Sequence, residues 1–253
     1  MWLQLLCLIK MGEALSFSLI LNFKTKTKKL TAMSLYTISN LDKLPPVKIP
    51  AGLKIEVSRD ATLLSILGNT TIEEVQRRLS NNHLAFVAHI NNHPAAFGWM
   101  ATSKARIGEL NHEFTLPKKN RYLWNFRTLS EYRGLGIYPA LLQYIMQYEG
   151  ENVNRFWIIH APENKSSLKG IIKAGFEYVG KLYAKANGSI ALETTETAET
   201  LHHLLDEMQF NPSTETAASC WNCNSPYLKK REASCCCTEA ELICTGSPEM
   251  FMA

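Results

Sequence analysis

A short loop with two glycines, lying between a strand-like run and a helix-like run, has the residue types that bind phosphate. The run from Arg121 to Leu129 is rich in aromatic and branched residues, which favours a β-strand. The loop Arg133-Gly134-Leu135-Gly136 follows, and from Ile137 to Met146 apolar residues recur at helical spacing. The first amides of a helix lack internal partners and carry partial positive charge, while glycine admits a bulky anion close to the backbone. With the forked charge of Arg133 added, the junction predicts a phosphate or diphosphate site, and a plain tight turn is the alternative.

Two widespread phosphate motifs do not describe this loop. No Gly-Lys-Ser/Thr follows it, as a Walker loop requires, and the third glycine of the dinucleotide fingerprint is missing. A second run lies downstream, where Ile159-His160-Ala161-Pro162-Glu163-Asn164 leads, one helix length later, to Lys173-Ala174-Gly175-Phe176. In that order and at that spacing, the loop and this run resemble the two hallmarks of the GNAT superfamily of N-acetyltransferases. The resemblance covers roughly Leu53 to Leu192.

The resemblance implies both a fold and a cosubstrate. The implied fold is α/β of the α+β type, with a mixed, largely antiparallel central sheet, helices on both faces, and a splay between two central parallel strands. The implied cosubstrate is acetyl-CoA, whose acetyl group such proteins pass directly to a primary amine. In the family the glycine loop binds the pyrophosphate, the end of the preceding strand pairs with the pantetheine arm, and the hallmark Asn lies near the sulfur. Carried over position by position, the implied cofactor-binding residues are Phe126, Thr128, Leu129, Arg133, Gly134, Leu135, Gly136, Ile137, Tyr138 and Asn164. A backbone amide near Thr128 or Leu129 would polarise the thioester carbonyl.

Two positions depart from the family pattern. Tyr138 stands where the family has Gly or Ala, so its ring must tilt away from the phosphates or narrow their site. Ile171 stands seven residues after the hallmark Asn, where many members have a tyrosine that serves as an acid. Either the thiolate leaves unprotonated, or another group serves, the candidates being Tyr178, Tyr183 and Ser167. These departures motivate an alternative function, a catalytically weak acyl-CoA sensor or interaction domain.

The attacking amine must also lose a proton, and three residues are candidates for the base. Glu113 and His112 lie in the strand expected before Arg121–Leu129, and His160 follows the strand expected at Arg155–Ile159. Each is also of a type that occurs as an ordinary surface or hydrogen-bonded residue, and an amine that arrives neutral needs no base. The acceptor pocket is expected near Trp99, Glu113 and Arg127, and Arg127 hints at a carboxylate or phosphate on the acceptor.

The elements that position these residues follow from periodicity and turn signals. Two helices are expected at Ala61–Leu67, capped by Asp60, and at Ile72–Leu79, with a Thr71/Glu74 capping box. A third helix is expected at Glu163–Ala174. Strands are expected at Leu53–Arg59, Leu84–Ile90, Ala95–Ala101, Arg106–Leu116, Arg155–Ile159, Phe176–Ala184 and Ser189–Glu193.

Outside this region the sequence carries less information. Of the 253 residues, we expect 1–50 to be an extension and linker, 51–193 the acetyltransferase domain, and 194–253 a partly disordered tail, apart from a short helix at Leu201–Met208. The apolar runs Met1–Ile9 and Ala14–Phe23 are shorter than the ~18–20 residues that span a bilayer, so a membrane-bound acyltransferase is the least favoured alternative.

Charge and cysteine usage limit the partners. A net charge of +4 with dispersed cations does not predict nucleic-acid binding, so the expected partner is a small-molecule or peptide amine, and a homodimer is left open. Six of the seven cysteines lie at or beyond Cys220, which predicts a fold without disulfides in a reducing, cytoplasmic compartment. Cys220 and Cys223 have zinc-ligand spacing, but free thiols are the default reading of the tail.

Overall fold

The fold is built on one large twisted sheet. A computed structural model describes residues 32–39, 41–161, 164–185, 187–194 and 199–214. Nine strands form this sheet in the order β11-β10-β9-β1-β8-β7-β4-β3-β2, and β5 and β6 form a separate hairpin. The strands are β1 Ala32–Ile38, β2 Leu53–Ser58, β3 Leu84–Ile90, β4 His93–Ala101, β5 Lys104–Ile107, β6 His112–Thr115, β7 Asn120–Thr128, β8 Arg155–His160, β9 Glu177–Ala184, β10 Ile190–Glu193 and β11 Asn211–Ser213.

The expected splay lies at the centre of the sheet. The neighbours β7 and β8 are parallel, and their pairing runs from Asn120 opposite Arg155 only as far as Leu123 opposite Ile158. Both strands continue beyond that point, β7 to Thr128 and β8 to His160. Apart from the short β10–β11 contact, the other pairs are antiparallel. The mixed sheet with two central parallel strands is therefore confirmed.

Helices cover both faces of this sheet. They are α1 Ala61–Gly68, α2 Ile72–Ser80, α3 Ile137–Glu149, α4 Lys165–Lys173 and α5 Glu199–Glu207. Side chains alternate between the faces along a strand, so Phe86 and Ala88 of β3 pack with α3, while Ala85 and Val87 pack with α1 and α2. The hairpin and α5 share a third cluster with β1 and β8. The sheet thus separates an α3/α4 side from a side that carries α2 and the hairpin.

Local signals in the sequence account for where the helices begin. The Asp60 carboxylate accepts a hydrogen bond from the Leu63 amide at 2.9 Å, and the Thr71 hydroxyl accepts one from the Glu74 amide at 3.2 Å. The side chain of Asn164 caps α4 by accepting from the Ser167 amide at 3.1 Å. Gly136, in the left-handed region with φ 86°, stands at the N-cap of α3 and has no side chain to cap it. The amides at the start of α3 are therefore left for another partner.

The structure corrects three expectations about the elements. Residues 34–38 are not linker, because β1 lies between β8 and β9 with Leu35 fully buried. Polar residues within this segment and the prolines after it favour a linker when the sequence alone is considered. The strand is stabilised by β8 and β9, which lie far along the chain. The single strand expected at Arg106–Leu116 is a hairpin that turns at residues 108–111, where Asn111 has φ 50°. Residues 199–213 add α5 and β11 to the fold, and Leu205, Met208 and Phe210 are buried.

The remaining expectations for the two ends fall on residues outside the described ranges, including the runs before residue 32 and all seven cysteines. No helix in the described part of the chain is long and apolar enough to cross a membrane. Among those same residues, no group of three His, Cys, Asp or Glu side chains is arranged to hold a metal ion.

Candidate active site

The first part of the site is a cleft between the glycine loop and α4, which we call the anion cleft. Eight of the ten expected cofactor-binding residues line it, and Leu129 and Leu135 do not. Four cationic residues border it, and no carboxylate does among the described residues: Arg127, Arg133, Lys169 and Lys173. Lys169 and Lys173 are one helical turn apart on α4, so they present their charges on one face. The cleft has the charge and the shape for a polyanion.

The glycine loop is built to bring backbone close to such a guest. Gly134 has φ 82° and Gly136 has φ 86°, a region that other residues rarely adopt. A Cβ at Gly134 would meet nothing within 4 Å, so the need for glycine there is conformational. The Arg133 Nε donates to the Thr128 carbonyl at 3.3 Å, which ties the loop to the end of β7. Leu135 is half exposed and contributes backbone rather than a cleft wall.

The second part is the opening between β7 and β8, which we call the splay. A bulge lies at its start, because two residues lie between Trp124 and Arg127 on β7, whereas one lies between their respective partners Trp99 and Phe97 on β4. Asn125, inside the bulge, has φ 52°. A bulge bends its strand and aims the following residues differently, so β7 turns away from β8 here.

Main-chain groups at the end of β7 differ in what they can bind. The Leu129 amide donates to the Ala95 carbonyl at 2.9 Å, so it faces β4 and is not free to polarise a thioester. Successive amides of a strand point to opposite edges, so the Thr128 amide faces the open side left by β8. Of the two expected positions, the geometry therefore supports Thr128 and excludes Leu129.

Tyr138 stands where the anion cleft meets the splay. Four residues line both spaces: Phe126, Tyr138, Asn164 and Ser167. The Tyr138 ring packs 5.4 Å from the Phe126 ring, its hydroxyl lies 3.4 Å from the Ser167 hydroxyl, and a Cβ at Gly170 would overlap it. Burial raises the pKa of the Tyr138 hydroxyl, so it stays protonated at neutral pH. The ring thus tilts from α3 onto α4, which is one of the two outcomes expected for an aromatic residue at this position.

The candidate acids are spread over different parts of the molecule. Ile171 is fully buried in the core, and its aliphatic side chain has no proton to donate. Tyr178 is half exposed on β9 against Tyr36, and the Tyr183 hydroxyl bonds to Ser213 at 3.3 Å; neither tyrosine lines the anion cleft or the splay. Ser167 lines both. Tyr138, which was not among the acid candidates, brings the nearest phenol to this junction.

The third part is a larger space of about 840 Å³ on the other side of the sheet, which we call the acceptor cleft. Its walls are the end of α2 and the β5–β6 hairpin, and its floor includes Tyr122 and Trp124 of β7. Five residues line both this cleft and the splay: Met33, Glu109, Trp124, Asn125 and Ile159. The splay is therefore continuous with a cleft on each side of the sheet.

The three candidate bases occupy three different environments. Glu113 lines the acceptor cleft, as expected. His160 lines the splay but is buried, with its Nε2 donating to the Asn164 carbonyl at 2.8 Å. His112 lines neither, because its Nε2 donates to the Met208 carbonyl at 3.0 Å and its ring stacks on Phe114. His112 is thus a structural residue that holds the hairpin against the segment after α5.

Sequence reasoning missed Glu109, which is the one carboxylate, among described residues, that lines both the splay and the acceptor cleft. It lies in the hairpin turn, and its position depends on how β5 pairs with β6. A single strand over Arg106–Leu116 would place the Glu109 and Glu113 side chains on the same face, four residues apart. Recognition of Gly108 and Asn111 as turn residues is the signal that would have found it.

Arg127 does not reach the expected acceptor pocket. Its Nη1 donates to the Leu67 carbonyl at the end of α1, at 3.3 Å, and the residue also borders the anion cleft. The bulge at Asn125 shifts the alternation of β7 by one residue, so Arg127 lies on the same face as Trp124. It lies beside α1 there and does not line the acceptor cleft. The arginine that does line the acceptor cleft beside Trp124 is Arg78.

Of three comparisons with known proteins, the one with solved structures finds similar chains, at low sequence identity. No family model matches the sequence, and no curated protein does. Among solved structures, the chain is similar to a GCN5-related N-acetyltransferase from Kribbella flavida, at 14% identity and a TM-score of 0.41, over 59% of this chain and 56% of that one. It is also similar to a protein from Novosphingobium aromaticivorans described as a putative acetyltransferase from the GNAT family, at 12% identity and a TM-score of 0.45, over 61% of this chain and 63% of that one.

A third similar structure, from Clostridium acetobutylicum, is described as a predicted acetyltransferase with acetyl-CoA, at 17% identity and a TM-score of 0.36, over 49% of this chain and 90% of that one. The matched region spans less than two thirds of the Kribbella and Novosphingobium chains. At these identities, the substrates of this chain have to be inferred from its own clefts.

Proposed function

We propose that this chain, whose sheet has the GNAT arrangement, is an N-acetyltransferase that moves the acetyl group of acetyl-CoA directly to a primary amine. One observation carries the proposal. The splay shares four lining residues with a cationic cleft on one side of the sheet and five with a larger cleft on the other side. A two-substrate transfer needs such an arrangement, because each substrate enters from its own side and the reacting groups meet in the passage.

The anion cleft supplies the features that fit coenzyme A. Arg133, Lys169 and Lys173 would hold its phosphates together with the uncapped amides at the start of α3. The Thr128 amide, on the open edge of β7, would take part in main-chain pairing with the arm. Bound acetyl-CoA supplies an activated acetyl thioester.

The residues of the chain would then orient the amine and accept its proton. Glu109 is the carboxylate best placed for this, because it lines the passage as well as the acceptor cleft. A carboxylate oxygen of Glu109 takes the proton that the amine nitrogen loses, directly or through a water. Glu113, farther into the acceptor cleft, is the weaker candidate because it does not line the splay.

A second function, that of a catalytically weak acyl-CoA sensor, is favoured by the junction itself. The Tyr138 ring, wedged between Phe126 and Gly170, narrows the route that a pantetheine arm would take to the splay. A protein of this kind would bind acetyl-CoA and release no CoA with any amine.

One experiment separates the two functions. The protein is incubated with acetyl-CoA and pooled amine metabolites and peptides, and free CoA and acetylated products are measured while acetyl-CoA binding is measured by calorimetry. We expect binding, CoA release and a product about 42 Da heavier than the amine, because an acetyl group of about 43 Da replaces one hydrogen of about 1 Da. Binding without release supports the sensor, and absence of binding contradicts both functions.

Matched variants assign the roles of the residues. Lys173→Gln is expected to weaken acetyl-CoA binding by about tenfold at low salt, whereas Lys165→Gln, on the same helix but outside the cleft, leaves it unchanged. Glu109→Gln is expected to lower kcat by about 10²-fold or more with little change in acetyl-CoA affinity, and Glu113→Gln to lower it less. Equal effects of the two Glu variants would contradict the assignment of Glu109.

A further inference from the structure

The acceptor cleft holds an arginine whose surroundings fix its position. The Arg78 Nε donates to the Glu74 Oε1 at 2.9 Å, and the guanidinium lies over the Trp124 ring at 4.6 Å and the Trp99 ring at 5.3 Å. Its side chain is 12% exposed. A guanidinium held on three sides loses little further freedom when it binds a ligand, so it is a pre-organised donor.

This arginine has donor capacity that the described residues do not use. Its Nη1 is buried and has no hydrogen-bond partner among the described residues, and the same holds for the indole Nε1 of the neighbouring Trp124. Buried donors in native proteins nearly always have a hydrogen-bond acceptor. Two neighbouring donors without one, both on residues that line the cleft, therefore indicate that an acceptor binds there. The acceptor would be an oxygen atom of a ligand or of water.

The charge balance of this wall favours an anionic oxygen. Glu74 is shared by two guanidinium groups, because Arg77 binds it through two hydrogen bonds of 2.7 and 2.8 Å while Arg78 binds it through Nε. Arg77 holds the pKa of Glu74 at about 2, and Arg78 contributes to the same effect, so this carboxylate is ionised at neutral pH. One carboxylate against two guanidinium groups leaves a net positive charge on the α2 wall. Burial and the two arginines lower the pKa of the adjacent His83, which adds no charge at neutral pH.

The opposite wall is where the amine would lie. Glu109 belongs to the hairpin and lines the splay as well as the acceptor cleft, whereas Arg78 lines the acceptor cleft and not the splay. An acceptor that places its amine at Glu109 therefore extends its other end toward the α2 wall.

We propose that the acceptor carries an oxyanion, a carboxylate or a phosphate, at the end away from its amine, and that Arg78 binds this group. The inference rests on the proposed function, because it assigns the substrate class of the same reaction. The forked guanidinium of Arg78 matches the geometry of both a carboxylate and a phosphate. Its positive charge stabilises an acceptor with such a group more than an acceptor without one.

The test compares acceptors that differ in the anionic group. CoA release is measured with three sets: 6-aminohexanoate, 6-aminohexanamide and hexylamine; 4-aminobutyrate, 4-aminobutanamide and butylamine; and phosphoethanolamine and ethanolamine. In at least one set, the anionic member is expected to have a kcat/KM about tenfold or more above that of its neutral partners. The amino-acid sets report a carboxylate, and the ethanolamine set reports a phosphate.

The arginine is tested by substitution in the same assay. Arg78→Gln is expected to bring that ratio close to one, mainly through KM for the anionic acceptor, while activity on the neutral amine and affinity for acetyl-CoA persist. Arg59→Gln is the control, since Arg59 is exposed and lines none of the three spaces, and this variant keeps the preference. Neutral and anionic members used equally well by the wild-type chain would overturn the inference and leave the proposed function standing. No CoA release with any acceptor would contradict the proposed function and this inference together.

Discussion

At the scale of single residues, Gly98 shows how the lack of a side chain shapes a site that the residue itself does not line. It lies on β4 under the ring of Phe126, and a Cβ there would overlap that ring. Phe126 lines both the anion cleft and the splay. The absence of a side chain at residue 98 thus determines where an aromatic wall of the passage stands.

Replacing this glycine tests that dependence. Gly98→Ala is expected to lower the free energy of unfolding by about 1–3 kcal/mol, because the Phe126 ring has to move in a packed core, and to weaken acetyl-CoA binding. Urea unfolding and calorimetric titration measure the two effects. Gly108→Ala is the control, since a Cβ there meets nothing within 4 Å and its backbone is not left-handed. A Gly98→Ala protein as stable and as tight-binding as the wild type would show that the Phe126 ring has another place to go.

At the scale of elements, the start of α4 serves both the fold and the site. Asn164 caps the helix through the Ser167 amide, and its side chain also lines the anion cleft and the splay. Thr71 performs only the first of these roles, at the start of α2. The two N-caps therefore allow a comparison in which helix stability is matched and ligand contact is not.

Asn164→Ala and Thr71→Ala are each expected to lower the free energy of unfolding by about 1 kcal/mol, the usual cost of losing an N-cap side chain. Only Asn164→Ala is expected to weaken the binding of acetyl-CoA as well. Thermal unfolding and calorimetric titration of both variants measure this. If both variants, or neither, bind acetyl-CoA more weakly, Asn164 has no role beyond capping α4.

At the scale of the whole molecule, the sheet acts as a partition with one opening. The α3 and α4 helices and the anion cleft lie on one side, and α2, the hairpin and the acceptor cleft lie on the other. The splay between β7 and β8 joins them. Strand β1 supports this opening from the side, because it pairs with β8 along Ser34–Ile38 and with β9 along its other edge.

The importance of β1 to the whole fold is testable with one side chain. Leu35 is fully buried, so Leu35→Ala is expected to lower the free energy of unfolding by about 2–5 kcal/mol through lost contacts and a residual cavity. Ile49→Ala, in the segment after β1 and 61% exposed, is expected to change it by less than about 0.5 kcal/mol. Urea unfolding of the two variants measures both values. A small effect at Leu35 would restore the view that this segment lies outside the core.

The sequence by itself determined the features whose causes are local. Short-range backbone geometry sets the glycine loop, the helix N-caps at Asp60, Thr71 and Asn164, and where most strands lie along the chain, because each depends on residues within a few positions of one another. The α+β class and the splayed parallel pair followed from two motifs in a characteristic order. Ile171 and Tyr138 were visible as departures from those motifs without any coordinates.

Only the tertiary structure decided which side chains share a cleft. The bulge at Asn125 changes which face Arg127 points to, the hairpin turn puts Glu109 at the passage, and the segment after α5 takes His112 into a packed cluster. Strand β1 was invisible because its partners, β8 and β9, lie more than a hundred residues further along the chain. These features depend on contacts between distant segments, whose free energy appears only when the sheet is assembled, and a periodic pattern in one segment carries no record of them.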